Sequence, residues 1–213
     1  MPTEPPRFGP FVVAFSRDGL GVPGHLALLN LARDRRADTQ TVIDRIAHAL
    51  ADAAADRFVA ALLAEVNWRP HLVGAIAFLL DRGARLDPAL LWQAVDRGSW
   101  VTPQLVVTAR LTDPDFVHRA SARLDARCPV QPTPGLPATP HGGHSGKLAA
   151  SLLALVPEFP ALAPAERRWR ADSELVALLE RDAGWDQSDR ITTGWSSRIR
   201  ECLAERGVPL ARG

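Results

Sequence analysis

Cysteine is nearly missing from this chain of 213 residues: Cys128 and Cys202 stand far apart, with no C-x-x-C pair and no other metal-type spacing. That excludes the disulfide framework of a small secreted domain, and two reduced thiols in a cytoplasm are the expectation. Tyrosine is absent, and among 25 basic side chains Lys147 is the only lysine. The arginine skew accompanies many Ala, Leu, Asp and Pro and most simply reflects a high-GC coding bias. An excess of either charge is also missing, since 24 acidic side chains leave a net charge of +1. Residues 1–126 hold 14 acidic and 14 basic side chains, and residues 127–213 hold 10 and 11. A general polyanion binder draws its affinity from many neutralised phosphates, so nucleic acid is not the expected partner. The clusters Arg33/Arg35/Arg36 and Arg167/Arg168/Arg170 are interleaved with or flanked by Asp34, Asp38, Glu166 and Asp172, as on a solvated face. Long apolar runs are lacking too. Leu72–Leu80 and Leu148–Val156 reach about half a membrane span, and the apolar piece Phe11–Phe15 is too short for a signal core, so no membrane partner is expected.

Complete catalytic and cofactor motifs are equally scarce. There is no G-x-S-x-G. His141-Gly-Gly-His-Ser-Gly-Lys147-Leu148 misses the phosphate-loop pattern at both ends, with His141 for the first glycine and Leu148 for the magnesium-binding hydroxyl. The imidazoles of His141 and His144 have no third or fourth ligand nearby, which argues against zinc. Gly19-Leu-Gly-Val-Pro-Gly24 approaches a dinucleotide fingerprint, and that reading needs Phe11–Phe15 as a strand and Asp38 or Asp44 as the acid. No further strands follow to complete a sheet. Asp113 and Asp115 bracket a helix start, where capping accounts for Asp113 without chemistry. No catalytic residue, metal or cofactor is therefore assigned.

What is present is helix punctuation. The chain is 46% hydrophobic, enough for one core or two small ones. Asp87-Pro88, Thr102-Pro103 and Asp113-Pro114 each place an N-cap oxygen before a proline at the first helical position, and Asn67 precedes Pro70 in a similar way. Asp81-Arg82-Gly83, Asp96-Arg97-Gly98 and Glu205-Arg206-Gly207 place arginine at the negative helix end and glycine where a left-handed residue is wanted. These marks predict helices near 70–82, 88–97, 103–111 and 114–126. A long or broken amphipathic helix is expected within 38–66 and a shorter one near 23–33. Five prolines between Pro129 and Pro140, with the glycines up to Gly146, predict an exposed loop or linker over 127–147. Helices are expected to resume near 147–156, 165–182 and 195–206. The expected organisation is a helical-repeat region at 1–126, the linker, and C-terminal helices at 148–213 docked on the first part.

Pro70-His71-Leu72-Val73 recurs as Pro103-Gln104-Leu105-Val106, each just after a tryptophan, Trp68 and Trp100. Gly194-Trp195 marks a degenerate third copy. A period in the thirties with one helical pair per unit is the mark of an α-solenoid. On these residues the chain resembles a HEAT- or armadillo-type helical repeat protein, most clearly over 38–126. That resemblance implies an all-α fold of stacked antiparallel hairpins, with an irregular helical bundle as the alternative. It also implies a protein partner held along a concave face. Compact bacterial examples resemble adaptor or toxin-immunity proteins. The candidate binding residues are Trp68, Arg69, His71, Trp100 and Gln104, since Trp and Arg are favoured interface anchors. Two enzyme readings stand beside this one: a HEAT-like DNA glycosylase using Trp68, Trp100 and Asp96, and a helical tailoring enzyme with a small-molecule or peptide cleft.

Overall fold

Short-range side-chain to backbone bonds hold several of the turns between helices. In the computed structural model, which describes residues 7–82, 84–129 and 143–208, eleven α-helices form and no strand occurs among the described residues. They are α1 (Gly24–Asn30), α2 (Arg36–Ala49), α3 (Ala55–Ala64), α4 (Trp68–Asp81), α5 (Ala89–Asp96) and α6 (Thr102–Thr112), followed by α7 (Phe116–Asp125), α8 (Gly143–Leu153), α9 (Ala163–Ala171), α10 (Ser173–Asp186) and α11 (Ser188–Ala204). The protein is all-α.

Of the four expected N-terminal caps, Asn67 caps its helix, and Asp87 and Asp113 hold the turns just before α5 and α7. Asn67 Oδ1 accepts from the Arg69 N–H at 3.1 Å, Asp87 Oδ1 from Ala89 at 2.9 Å and Asp113 Oδ1 from Asp115 at 2.9 Å. Thr102 is the exception. Its hydroxyl donates back to the Ser99 carbonyl at 2.6 Å, while Ser99 Oγ accepts from the Val101 N–H, so the turn before α6 is organised by Ser99. The C-terminal glycines Gly98 and Gly207 take φ of +83° and +65°, as their positions require. At α4 the left-handed residue is Arg82 itself (φ +56°), and Gly83 lies outside the described residues. The next turn is clamped by Asp81, whose carboxylate accepts from the Arg85 and Leu86 N–H groups at 2.8 and 3.0 Å and from Arg85 Nε at 3.1 Å.

Several expectations are corrected. Phe11–Phe15 is no strand: Gly9–Ala14 is a 3-10 helix whose buried Phe11 and Ala14, three apart, face inward while Val12 and Val13 face water. The glycine triplet after it is structural. The Gly21 N–H donates to Asp38 Oδ2 at 3.0 Å, and a Cβ on Gly24 would sit 2.1 Å from the Ala14 carbonyl oxygen. The region 38–66 is broken between α2 and α3, where Asp52 Oδ1 accepts from the Ala54 N–H at 2.8 Å. In the segment expected as a loop, 130–142 lies outside the described residues, and α8 starts at Gly143, a turn before Lys147. Its glycines have poor helix propensity, and packing against α6, α10 and α11 overrides it. Trp195 marks no helix start, because α11 begins at Ser188 and runs through it; the third copy of the echo is not a separate unit.

Packing explains which helices are apolar all round. Every residue from Pro70 to Leu79 in α4 is buried, as is every residue from Val101 to Arg110 around α6. α4 packs on α6 and α6 on α8; α3 lies on α4, and α5 on α6 and α3. α1 and α2 also lie on α4, and α11 crosses α6, α8 and α2. One hydrophobic cluster runs from Phe11 to Leu203. α11 ties the chain ends together: Trp195 Nε1 donates to the Leu28 carbonyl at 3.1 Å, Gln40 Nε2 to the Cys202 carbonyl at 2.9 Å, and Arg36 pairs with Glu201 at 3.1 Å. Both cysteines are buried free thiols, and burial pushes the Cys128 thiol up to about 12. Among the described residues no helix is long and apolar enough to cross a membrane.

Candidate functional site

The caps at Asn67 and Ser99 bring the two tryptophans of the echo together. Because α4 and α6 lie side by side and both start at the same end, Trp68 and Trp100 meet with ring centroids 5.0 Å apart and planes inclined at 46°. The pair stays wet: Trp68 is half-buried and Trp100 is 48% exposed. The Arg69 guanidinium lies 5.1 Å from the Trp68 ring. These three of the five candidate residues form one surface.

His71 and Gln104 are buried and do not join that surface. His71 is buried, with Nε2 2.8 Å from the Glu65 carbonyl and Nδ1 2.7 Å from Ser99 Oγ. A carbonyl only accepts, so Nε2 carries the proton and Nδ1 accepts from the serine. Burial holds the imidazole neutral, lowering its pKa to about 4 against the raising effect of the Glu65 carbonyl, with the charge of Arg97 lowering it further. Gln104 is buried and donates from Nε2 to the Leu29 carbonyl of α1 at 3.2 Å. Both helices are enclosed by the rest of the chain, α4 by α1, α2, α3 and α6, and α6 by α4, α5, α8 and α11. His71 nevertheless shapes the surface, since it fixes Ser99, the residue before Trp100.

Other groups join the pair that no sequence spacing marks. Rings run in a line from Phe8 through Phe15, His25 and Trp68 to Trp100, at successive centroid distances of 5.8, 6.4, 5.8 and 5.0 Å. At the far end Lys147 Nζ sits 5.7 Å from the Trp100 ring and donates to the Trp100 carbonyl at 3.3 Å. The Arg7 guanidinium stands over Phe8 at the other end. Val12, Val13, Leu26 and Val66 are exposed in the same chain segments. Burial, then the charge of Arg69, lowers the pKa of His25, so the ladder's only titratable ring favours its neutral form. The result is an apolar, aromatic strip with the exposed Arg7 at one end, Arg69 beside its centre and the buried Lys147 behind Trp100.

Asp96, the acid of the glycosylase reading, is held by Arg123 through bonds of 2.8 and 2.7 Å, and that guanidinium lies 4.1 Å over Trp92. Among the described residues no cluster of His, Cys, Asp and Glu is arranged to hold a metal ion; His141 and the side chain of His144 lie outside them. No family model, no curated protein and no solved structure matches the chain.

Proposed function

We propose that this chain is a non-enzymatic protein-binding module, built from the α3/α4 and α5/α6 pairs as two stacked helical hairpins, whose partner docks on the Trp68–Trp100 strip. The observation that carries the reading is the water-exposed tryptophan pair with Arg69 stacked on it and the ring ladder leading to it. Half-buried aromatic and arginine side chains on a fixed frame bind at low entropic cost, which is why they serve as anchors. The exposed Arg7 and Arg69 favour a partner that brings acidic side chains around an apolar centre. Covering a partner's surface in this way suits an adaptor or immunity role.

Quantitative affinity capture with the wild type and with Trp100→Ala and Arg69→Glu tests the proposal. A partner held by the wild type should be lost at least tenfold in Trp100→Ala, an anchor effect of about 2 kcal/mol. Thermal unfolding of both variants should stay close to that of the wild type, since neither residue fills the core. Equal capture by all three proteins would remove the strip from consideration.

A further inference from the structure

Buried polar side chains in this fold are mostly matched, as His71, Gln104, Asp81 and Asp113 show. Arg110 on α6 and Arg200 on α11, two helices that pack together, are not. Arg110, in the last turn of α6, has a side chain only 3% exposed. Its Nη2 bonds the Glu158 carboxylate, while Nε and Nη1 are buried with no hydrogen-bond partner. On α11, which packs on α6, Arg200 buries Nε and Nη2, also without partners. Buried N–H donors without acceptors are rare because the desolvation of each is uncompensated.

Charge makes the same point. A guanidinium does not shed its proton in a protein, so Arg110, Arg200 and Glu158 together carry one net positive charge. Burial opposes the charged form of Arg110, Glu158 supports it, and Arg200 opposes it, which places the two guanidinium groups within each other's field. The orphaned pair on Arg200 is also a specific pair. Nε and Nη2 lie on one edge of the guanidinium, the edge that grips both oxygens of a carboxylate side-on. The Phe159 ring, 5.8 Å from the Arg110 guanidinium, supplies an apolar wall. Glu158 is 42% exposed and Arg200 is half-buried, so both reach water while Arg110 does not.

We propose that Arg110 and Arg200 form a receptor for a small monocarboxylate, bound between α6 and α11 behind Glu158. One carboxylate brings the net charge of the group to zero and offers acceptors to the orphaned donors of both arginines. A phosphate dianion overshoots the charge. A carboxylate carried on a polypeptide cannot reach donors that are closed to solvent without unpacking the helices. The site is separate from the Trp68–Trp100 strip and stands or falls independently of it.

The test is thermal unfolding of the full chain in sodium acetate, sodium phosphate or an acetylated Glu-Gly hexapeptide amide, each against sodium chloride at matched ionic strength. Acetate should raise Tm saturably, as a ligand of the native state does. Phosphate and the peptide should act like chloride. Arg200→Lys keeps the charge and lacks the two-point edge, so its apparent Kd for acetate should rise at least tenfold. Arg200→Met should lose the acetate response while melting no lower than the wild type in chloride, because a like charge in the field of Arg110 is gone. The proposal is overturned if acetate acts like chloride or if both variants respond as the wild type does. Stabilisation by phosphate alone overturns the monocarboxylate, and stabilisation by the peptide alone overturns the small ligand.

Discussion

His71 is the residue whose chemistry the fold most clearly controls. With a pKa near 4 in the native state against 6.5 unfolded, the unfolded chain binds the proton first as pH falls. Its contribution is therefore fully present above pH 6.5 and is lost as pH falls towards 4, by about 3 kcal/mol over that window. Urea unfolding at pH 7, 5.5 and 4 should show the wild type losing this amount relative to His71→Gln, and parallel curves would refute it. Asp81 has the opposite chemistry and the same sign. Burial works against its charge, but the N–H groups of Arg85 and Leu86 and the Arg85 side chain outweigh that and hold its pKa below the ordinary value. Its contribution is present above the ordinary carboxylate range and fades as pH falls through the depressed value. Asp81→Ala leaves the Leu86 N–H without its acceptor, and a loss of about 1–3 kcal/mol in urea unfolding at pH 7 is expected.

Helix ends decide the next scale, and here two substitutions separate local from tertiary effects. Asn67→Ala removes one cap bond at an exposed helix start and should cost about 1 kcal/mol. Gly24→Ala keeps a helix former at the start of α1 and gains propensity. Its Cβ meets the Ala14 carbonyl at 2.1 Å, however, so the 3-10 helix must move, and a cost of about 1–3 kcal/mol is expected. Equilibrium unfolding of both variants checks the ranking; an equal or smaller effect at Gly24 would show that the N-terminal segment is not seated on α1. Thr102→Ala belongs with neither, since its hydroxyl serves the Ser99 turn and caps nothing.

For the whole molecule, α11 is the decisive element because it reaches α2, α6 and α8 at once. Trp195 is buried at its centre and bonded to the Leu28 carbonyl of α1. Trp195→Ala should cost about 3–5 kcal/mol, read from the midpoint of a single transition, and two separated transitions would show that the ends unfold independently. Cys128 and Cys202, both buried, should react with a thiol reagent only as the chain unfolds.

From α4 to α7 the sequence announces its own helices, since Asn67 caps α4, Asp87 and Asp113 fold the turns that lead into α5 and α7, and Gly98 forms its stop. Those bonds are local and need no knowledge of the rest of the chain. The pairing of Trp68 with Trp100 was half legible, as a repeated helix start. Its extension through Phe8, Phe15 and His25 to Lys147 was not, because residues so distant in sequence meet only when α1, α4, α6 and α8 pack. The same holds for Phe11–Phe15, for Trp195 and for the burial of His71 and Gln104. A short apolar run fits a 3-10 helix as well as a strand until its buried partners are known. A polar residue on a helix faces water or core according to whether another element covers it. By itself, therefore, the sequence determined an all-α chain, most of its helix limits and a balanced charge, all set by local bonds and composition. The tertiary structure decided which tryptophans reach solvent, which helices are enclosed and where Arg110 and Arg200 bury donors without partners, because burial belongs to the packing of elements and not to any one of them.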